Sequence, residues 1–113
     1  MKRLFALLAL AAPIGCAPLP PPPPPPYHAV GTEPFWDLLI DERNLTFRLP
    51  DGQPIIQPTP RVIHGFAGEI YQTPRINVNI VHGQCSDGMS DRTFPDKVQV
   101  TVDGRGFNGC GGL

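Results

Sequence analysis

The chain has 113 residues, of which 16 are proline and 12 are glycine, and its formal net charge at pH 7 is −1. A chain of this length holds one small domain. Its nine basic residues form no clustered basic stretch of the kind that binds nucleic acid, so we expect no nucleic-acid partner.

The N-terminal end has the pattern of a secretory signal peptide. Lys2 and Arg3 precede an apolar run over residues 4–12, which matches the charged and apolar regions of such a signal. The run is too short to span a bilayer, which takes about 20 apolar residues. Pro13 and Gly15 interrupt it, which disfavours a buried N-terminal helix. We therefore predict that residues 1–15 are a signal peptide.

Cys16 closes a segment, Pro13-Ile14-Gly15-Cys16, that resembles a lipobox. In such a segment the cysteine receives diacylglycerol and becomes the new N-terminus after cleavage. Cleavage would remove two of the nine basic residues and leave a charge of about −3. No polybasic stretch adds a second membrane signal, so anchoring rests on the acyl chains. We expect a protein tethered through lipid on Cys16 to a membrane of the bacterial cell envelope, facing the periplasm or the exterior.

The remaining cysteines predict a disulfide. The chain has three cysteines, and Cys16 accounts for one of them. Cys85 and Cys110 are then an even pair, which is expected to be oxidised outside the cytoplasm. A zinc site at His82 and Cys85 is the alternative, but the sequence offers no second close ligand pair for four-coordinate zinc. We predict a bond between Cys85 and Cys110, and neither a metal nor a cofactor.

A proline-rich segment separates Cys16 from the domain. Seven consecutive prolines, residues 20–26, follow Pro18 and Leu19. Such a tract favours polyproline II, in which nine residues reach roughly 28 Å at about 3.1 Å per residue. We interpret residues 16–27 as the lipidated cysteine and a spacer, and residues 28–113 as the domain. The alternative is that the prolines are a ligand for an SH3-like or WW-like groove.

The domain shows short apolar alternations separated by Gly, Pro, Asn and Asp, and no long pattern with a helical period. The predicted strands cover residues 35–40, 45–49, 61–64, 69–72, 76–80, 98–102 and 105–110. Asp103-Gly104 is a strong signal for a hairpin between the last two, and the prolines among residues 50–60 disfavour a central strand there. Five to seven antiparallel strands predict an all-β fold, a small antiparallel β-barrel or sandwich closed by one disulfide.

Two parts of the sequence carry a resemblance to a known family. They are GTEPFW over residues 31–36, and CSDGMSD over residues 85–91 followed by GCGG over residues 109–112. Together they resemble an uncharacterised family of bacterial envelope lipoproteins and predicted membrane proteins. The resemblance implies export, a small β domain and a link between the two motif cysteines, and it implies no activity. In size and architecture the domain is also similar to membrane-bound inhibitors of c-type lysozyme.

Four residues of these segments are candidate binding residues: Glu33, Trp36, Asp87 and Asp91. No strand or turn rule requires glutamate at position 33, so Glu33 is a candidate for a fixed polar contact. Asp87 and Asp91 flank the Gly88 turn with a spacing that is not that of an EF-hand, and we prefer capping of turn N–H groups over a calcium site. Trp36 is the single tryptophan, and we expect it in the core.

The sequence predicts a non-catalytic binding or structural module displayed on a spacer. Its expected partner is another envelope protein or a peptidoglycan-associated component. One alternative is a protein similar to the lysozyme inhibitors, and another is a small hydrolase that uses Ser86 and His82. The hydrolase would lack a G-x-S-x-G nucleophile elbow, and a domain of about 87 residues has little room for a triad and a cleft. We therefore expect no catalytic residues and no enzyme activity.

Overall fold

A computed structural model describes residue 15, residues 17–88 and residues 91–113. The predicted signal peptide, apart from Gly15, and the predicted lipid attachment at Cys16 lie outside these residues. The described residues form nine strands: β1 (Tyr27–Thr32), β2 (Phe35–Ile40), β3 (Asn44–Arg48), β4 (Ile55–Pro58), β5 (Ile63–His64), β6 (Gly68–Gln72), β7 (Ile76–Ser86), β8 (Thr93–Val102) and β9 (Arg105–Gly111).

The nine strands of the described chain belong to one antiparallel sheet, in the order β4-β3-β2-β1-β9-β8-β7-β6-β5. Each half of the chain forms a meander, and the first strand joins the last through the register pairs Ala29–Gly111 and Val30–Cys110. The sheet curls into a half-barrel whose edges are the short strands β4 and β5. The predicted small antiparallel all-β fold with one disulfide is confirmed, and its form is a single curled sheet.

Seven of the strands overlap the predicted ones, with several bounds different, and β1 and β4 are additional. The buried positions of β1 are Ala29 and Gly31, which are too small to give an apolar alternation in the sequence. Pro58 ends β4, which lies at an edge of the sheet, where a strand tolerates the loss of a backbone donor.

Turn chemistry fixes the hairpins. Asp103 and Gly104 connect β8 to β9 with φ of 48° and 85°, as the left-handed positions of a type I′ turn require. Between β2 and β3, Asp41 Oδ1 accepts hydrogen bonds from the backbone N–H groups of Arg43 and Asn44 at 2.8 and 2.7 Å. The bonds from Asn44 and Arg43 lower the pKa of Asp41, because they favour the charged carboxylate.

The core fills the inside of the curl. Thirteen buried apolar side chains form one cluster with contributions from both meanders. At its centre, the ring of Phe47 lies 4.9 Å from that of Phe107 and 5.9 Å from that of Trp36, measured between centroids. Because Trp36 and Phe47 come from the first meander and Phe107 from the second, this aromatic group holds the two halves of the sheet together.

Candidate functional site

Glu33 lies in the turn between β1 and β2. Thr32 and Phe35 are register partners at the end of this hairpin, so the turn consists of Glu33 and Pro34, which are joined by a cis peptide bond. The Glu33 side chain is exposed. The proline-rich segment leads into β1 at its other end, at Tyr27. The turn therefore places the Glu33 carboxylate at one end of β1, and the proline-rich segment lies at the opposite end.

Asp87 directly follows β7, whose last residues bend toward β9. The ladder between β7 and β8 is interrupted by a β-bulge between His82 and Cys85. Beyond the bulge, Cys85 is bonded to Cys110 of β9, as predicted, and their Cα atoms are 5.7 Å apart. Both β7 and β9 are neighbours of β8, so in a flat sheet they would lie about 10 Å apart. The disulfide thus holds the end of β7 close to β9.

The bent end of β7 places Asp87 on the same surface depression as Glu33. The two residues line one surface depression of about 400 Å³, together with Thr32, Gly88 and Asn108. Glu33 and Asp87 each contribute a carboxylate, which accepts hydrogen bonds, to this lining. Such a lining suits a cationic group or a ligand rich in N–H and O–H donors. We call this feature the Glu33–Asp87 depression.

Trp36 is buried and is hydrogen-bonded to Asn108, which lines the depression. It is 4% exposed, as expected for a core residue. Its indole ring lies between Gly31 and Gly109, and a Cβ at either position would overlap the ring. The indole N–H donates to the carbonyl oxygen of Asn108 at 3.3 Å. The GTEPFW and GCGG segments are therefore packed against each other, which gives their glycines a structural reason.

Asp91 is exposed and is not among the residues that line the Glu33–Asp87 depression. Nearby, Ser86 Oγ accepts the backbone N–H of Gly88 at 3.3 Å, the kind of turn cap expected from this segment. Within residues 17–88 and 91–113, no group of three His, Cys, Asp or Glu side chains is placed to hold a metal ion.

A second polar cluster was not predicted from the sequence. Tyr27 donates its hydroxyl to Asp96 Oδ2 at 2.8 Å, and Asp96 Oδ1 lies 2.7 Å from His82 Nδ1. His82 Nε2 lies 2.7 Å from Glu69 Oε2. Gly111 of β9 leaves room for the first contact, since a Cβ there would lie 2.5 Å from the Tyr27 hydroxyl. We call these four side chains the His82 network.

Burial and charge set the protonation of the His82 network. The Asp96 side chain is 8% exposed, which makes it the buried carboxylate of the group. The hydrogen bond to Asp96, together with the negative charge of Glu69, raises the pKa of His82. Burial, followed by the bond to Asp96, raises the pKa of Tyr27 well above its usual value. Tyr27 therefore stays neutral and donates to Asp96.

One signal in the sequence could have revealed this network. Phe94, Val98, Val100 and Val102 occupy the buried positions of β8, and Asp96 falls in the same phase of the alternation. A carboxylate at a buried position requires partners, because burying an unpaired charge is costly. The identity of those partners depends on strand register and does not follow from the spacing in the sequence.

The hydrolase alternative finds no paired side chains in this geometry. Ser86 and His82 lie four residues apart on β7, with the bulge between them. The Ser86 hydroxyl caps the Gly88 turn. Both nitrogens of His82 contact carboxylates, whereas the Ser86 hydroxyl contacts the backbone N–H of Gly88.

No segment of the described chain forms a helix with the length and apolarity that crossing a bilayer requires. In comparisons with known proteins, no protein-family model, curated protein or solved structure matches the chain. Function is therefore inferred from the geometry of the described residues.

Proposed function

We propose that the protein is a lipid-anchored binding module of the bacterial cell envelope, without catalytic activity, and that the Glu33–Asp87 depression is its contact site. One observation carries this proposal. Glu33 comes from the GTEPFW segment and Asp87 from the CSDGMSD segment, and these two segments, distant in sequence, line one surface depression. They are also the segments that resemble the uncharacterised family of envelope lipoproteins.

The arrangement of the chain suits display. The spacer leads into β1 at Tyr27, and Glu33 follows the far end of the same strand. With lipid on Cys16, the depression would face away from the membrane at the end of a proline rod. The disulfide holds the Asp87 side of the depression in place, so little ordering is needed on binding, which favours affinity.

Charge indicates the kind of partner. The exposed carboxylate of Glu33, at the depression that Asp87 also lines, complements a basic side chain or another cationic group of an envelope protein or of a peptidoglycan-associated partner. A basic enzyme that attacks peptidoglycan presents such groups, so an inhibitor of c-type lysozyme is the second form that the same binding function can take. The two forms differ in their partner and share the contact site.

Capture of purified partners tests the contact site. The protein is immobilised and offered peptidoglycan sacculi and, separately, c-type lysozyme. Glu33→Gln and Asp87→Asn remove one charge each and should each weaken capture by about tenfold, the effect of roughly 1.4 kcal/mol. Asp51→Asn, at an exposed loop position between β3 and β4, is the matched control and should leave capture unchanged. Equal capture by all three variants and the wild type would refute the proposed site.

Two further variants complete this experiment. Asp91→Asn decides whether the contact extends along the loop beyond the depression. The double variant Cys85→Ala and Cys110→Ala releases the end of β7, and it should lose capture even under conditions in which the domain remains folded by circular dichroism.

Metabolic labelling with palmitate tests the anchor. The wild type should be labelled and recovered with the membrane fraction, whereas Cys16→Ser should be unlabelled. Cys110→Ser is the control, since the proposed lipid depends on Cys16 alone. Equal labelling of the wild type and Cys16→Ser, or none in either, would remove lipidation from the proposal.

A further inference from the structure

His82 is held between two carboxylates on different strands. Its Nδ1 lies 2.7 Å from Asp96 on β8, and its Nε2 lies 2.7 Å from Glu69 on β6. A neutral imidazole carries one N–H, and only the imidazolium carries two. A carboxylate accepts hydrogen bonds and donates none. Both contacts are therefore hydrogen bonds only when His82 is protonated.

We infer that His82 is a pH-dependent clamp: when protonated it ties β6 to β8 through Glu69 and Asp96, and when deprotonated it releases Glu69. The step is the loss of one proton from the imidazolium to solvent. The hydrogen bond to Glu69 is lost with this proton and no other covalent bond changes, and the inference does not depend on the proposed binding function.

Burial decides which carboxylate is released. The Asp96 side chain is 8% exposed, whereas the Glu69 side chain is 30% exposed. Leaving a buried charge without a donor costs more than leaving a partly exposed one, because water can replace the lost partner only at the surface. The neutral imidazole therefore keeps its one N–H on Asp96, beside the Tyr27 hydroxyl, and turns its lone pair toward Glu69.

Release of Glu69 acts on an edge of the sheet. Glu69 lies in β6, whose outer neighbour is the two-residue edge strand β5. The loop of this β5–β6 hairpin carries Phe66, which is fully exposed, and Ile63 of β5 is 44% exposed. With few buried contacts of its own, the hairpin depends on its ties to β7, so loss of the Glu69 contact should increase its local opening.

Charged and titratable groups from four other strands lie around His82. Glu69 and Tyr71 come from β6, Asp96 from β8 and Tyr27 from β1, while His64 of β5 is the register partner of Glu69. The bond to Asp96 and the charge of Glu69 raise the pKa of His82. A raised pKa in the folded state means that the stabilisation is complete below the ordinary histidine pKa of about 6.5 and is lost as pH rises through the raised value. The clamp is closed in acid and opens toward alkaline pH.

Hydrogen exchange of the purified full-length protein tests the clamp. Protection factors, which are corrected for the intrinsic effect of pH, are compared at about pH 5.5 and about pH 8.5, on either side of the histidine range. Protection of the amides in residues 63–72 should fall roughly three- to tenfold at the higher pH, in line with the net contribution of one hydrogen bond that is partly exposed to solvent. Protection in β8 and β9 should change much less.

Two variants distinguish the clamp from a general effect of pH. Glu69→Gln should abolish the pH dependence while the fold persists, because an amide can accept from the imidazolium or donate to the neutral ring. His28→Gln replaces an exposed histidine of β1 and should behave like the wild type. The inference is overturned if hairpin protection is the same at both pH values, if Glu69→Gln keeps the fall, or if β8 and β9 lose protection equally.

Discussion

Gly109→Ala should destabilise the domain strongly, since the backbone of β9 passes against both β1 and Trp36. A Cβ at this position would overlap the carbonyl oxygen of Val30 and would lie 2.7 Å from Trp36 Cζ2. The carbonyl belongs to the backbone of β1, and the ring is held against Gly31 and the other core aromatics, so neither can move freely. Overpacking of this kind costs about 1–3 kcal/mol.

We expect the upper part of that range, because both neighbours are fixed. A cost of about 3 kcal/mol corresponds to a fall in Tm of roughly 12–24 °C for a domain of this size. Urea unfolding followed through the fluorescence of Trp36, the single tryptophan, reports on this contact directly. Gly106→Ala on the same strand is the control, since a Cβ added there would have no described atom within 4 Å other than those of its chain neighbours. If the two variants have the same Tm, the close packing of β9 on Trp36 is not what stabilises the sheet.

Three further changes should have measurable effects on stability. The double variant Cys85→Ala and Cys110→Ala opens a loop whose ends are 25 residues apart in sequence. It should lower the free energy of unfolding, measured by urea titration, by about 3.5 kcal/mol. An effect near zero would contradict the chain-entropy argument. Asp103→Val places a β-branched residue at a φ of 48° and should lower Tm, whereas Asp103→Asn should preserve the turn. Equal Tm values for the two variants would contradict the requirement for a left-handed residue at this position. Tyr27→Phe removes a hydrogen-bond donor from the buried carboxylate of Asp96 and should lower the free energy of unfolding by about 1–3 kcal/mol at pH 7. Tyr71→Phe is the control. Similar losses of stability in both variants would argue that the bond from Tyr27 is not stabilising.

Much of the fold could be predicted from the sequence, because apolar and polar residues alternate clearly in the second half of the chain. Residues 76–80 and 98–102 alternate strictly, and both lie within long central strands. Asp103-Gly104 supplies the hairpin between β8 and β9. The missed strand β1 has small residues at its inward positions, which carry no hydrophobic signal even though they are required for packing against Trp36.

The sites were predictable only where they depended on composition. The bond between Cys85 and Cys110 follows from counting the cysteines of a chain that is predicted to be exported. Glu33 and Asp87 line the same depression because of the bulge in β7 and the bend of its last residues toward β9. Neither feature is visible in the local sequence. The His82 network depends on register across four strands, so its members are scattered along the chain.

The junction between β1 and β9 also determines how the domain bears mechanical load. In the proposed arrangement, a lipid anchor and a bound partner would pull on the domain from opposite ends, and tension along the proline-rich segment would enter at Tyr27. There β1 has six register pairs with β2 but two with β9, so the weaker seam lies between the two meanders. The hydroxyl bond from Tyr27 to Asp96 crosses that seam at the point where the force arrives. Together with the aromatic core behind it, this bond would resist peeling of the first meander from the second under tension.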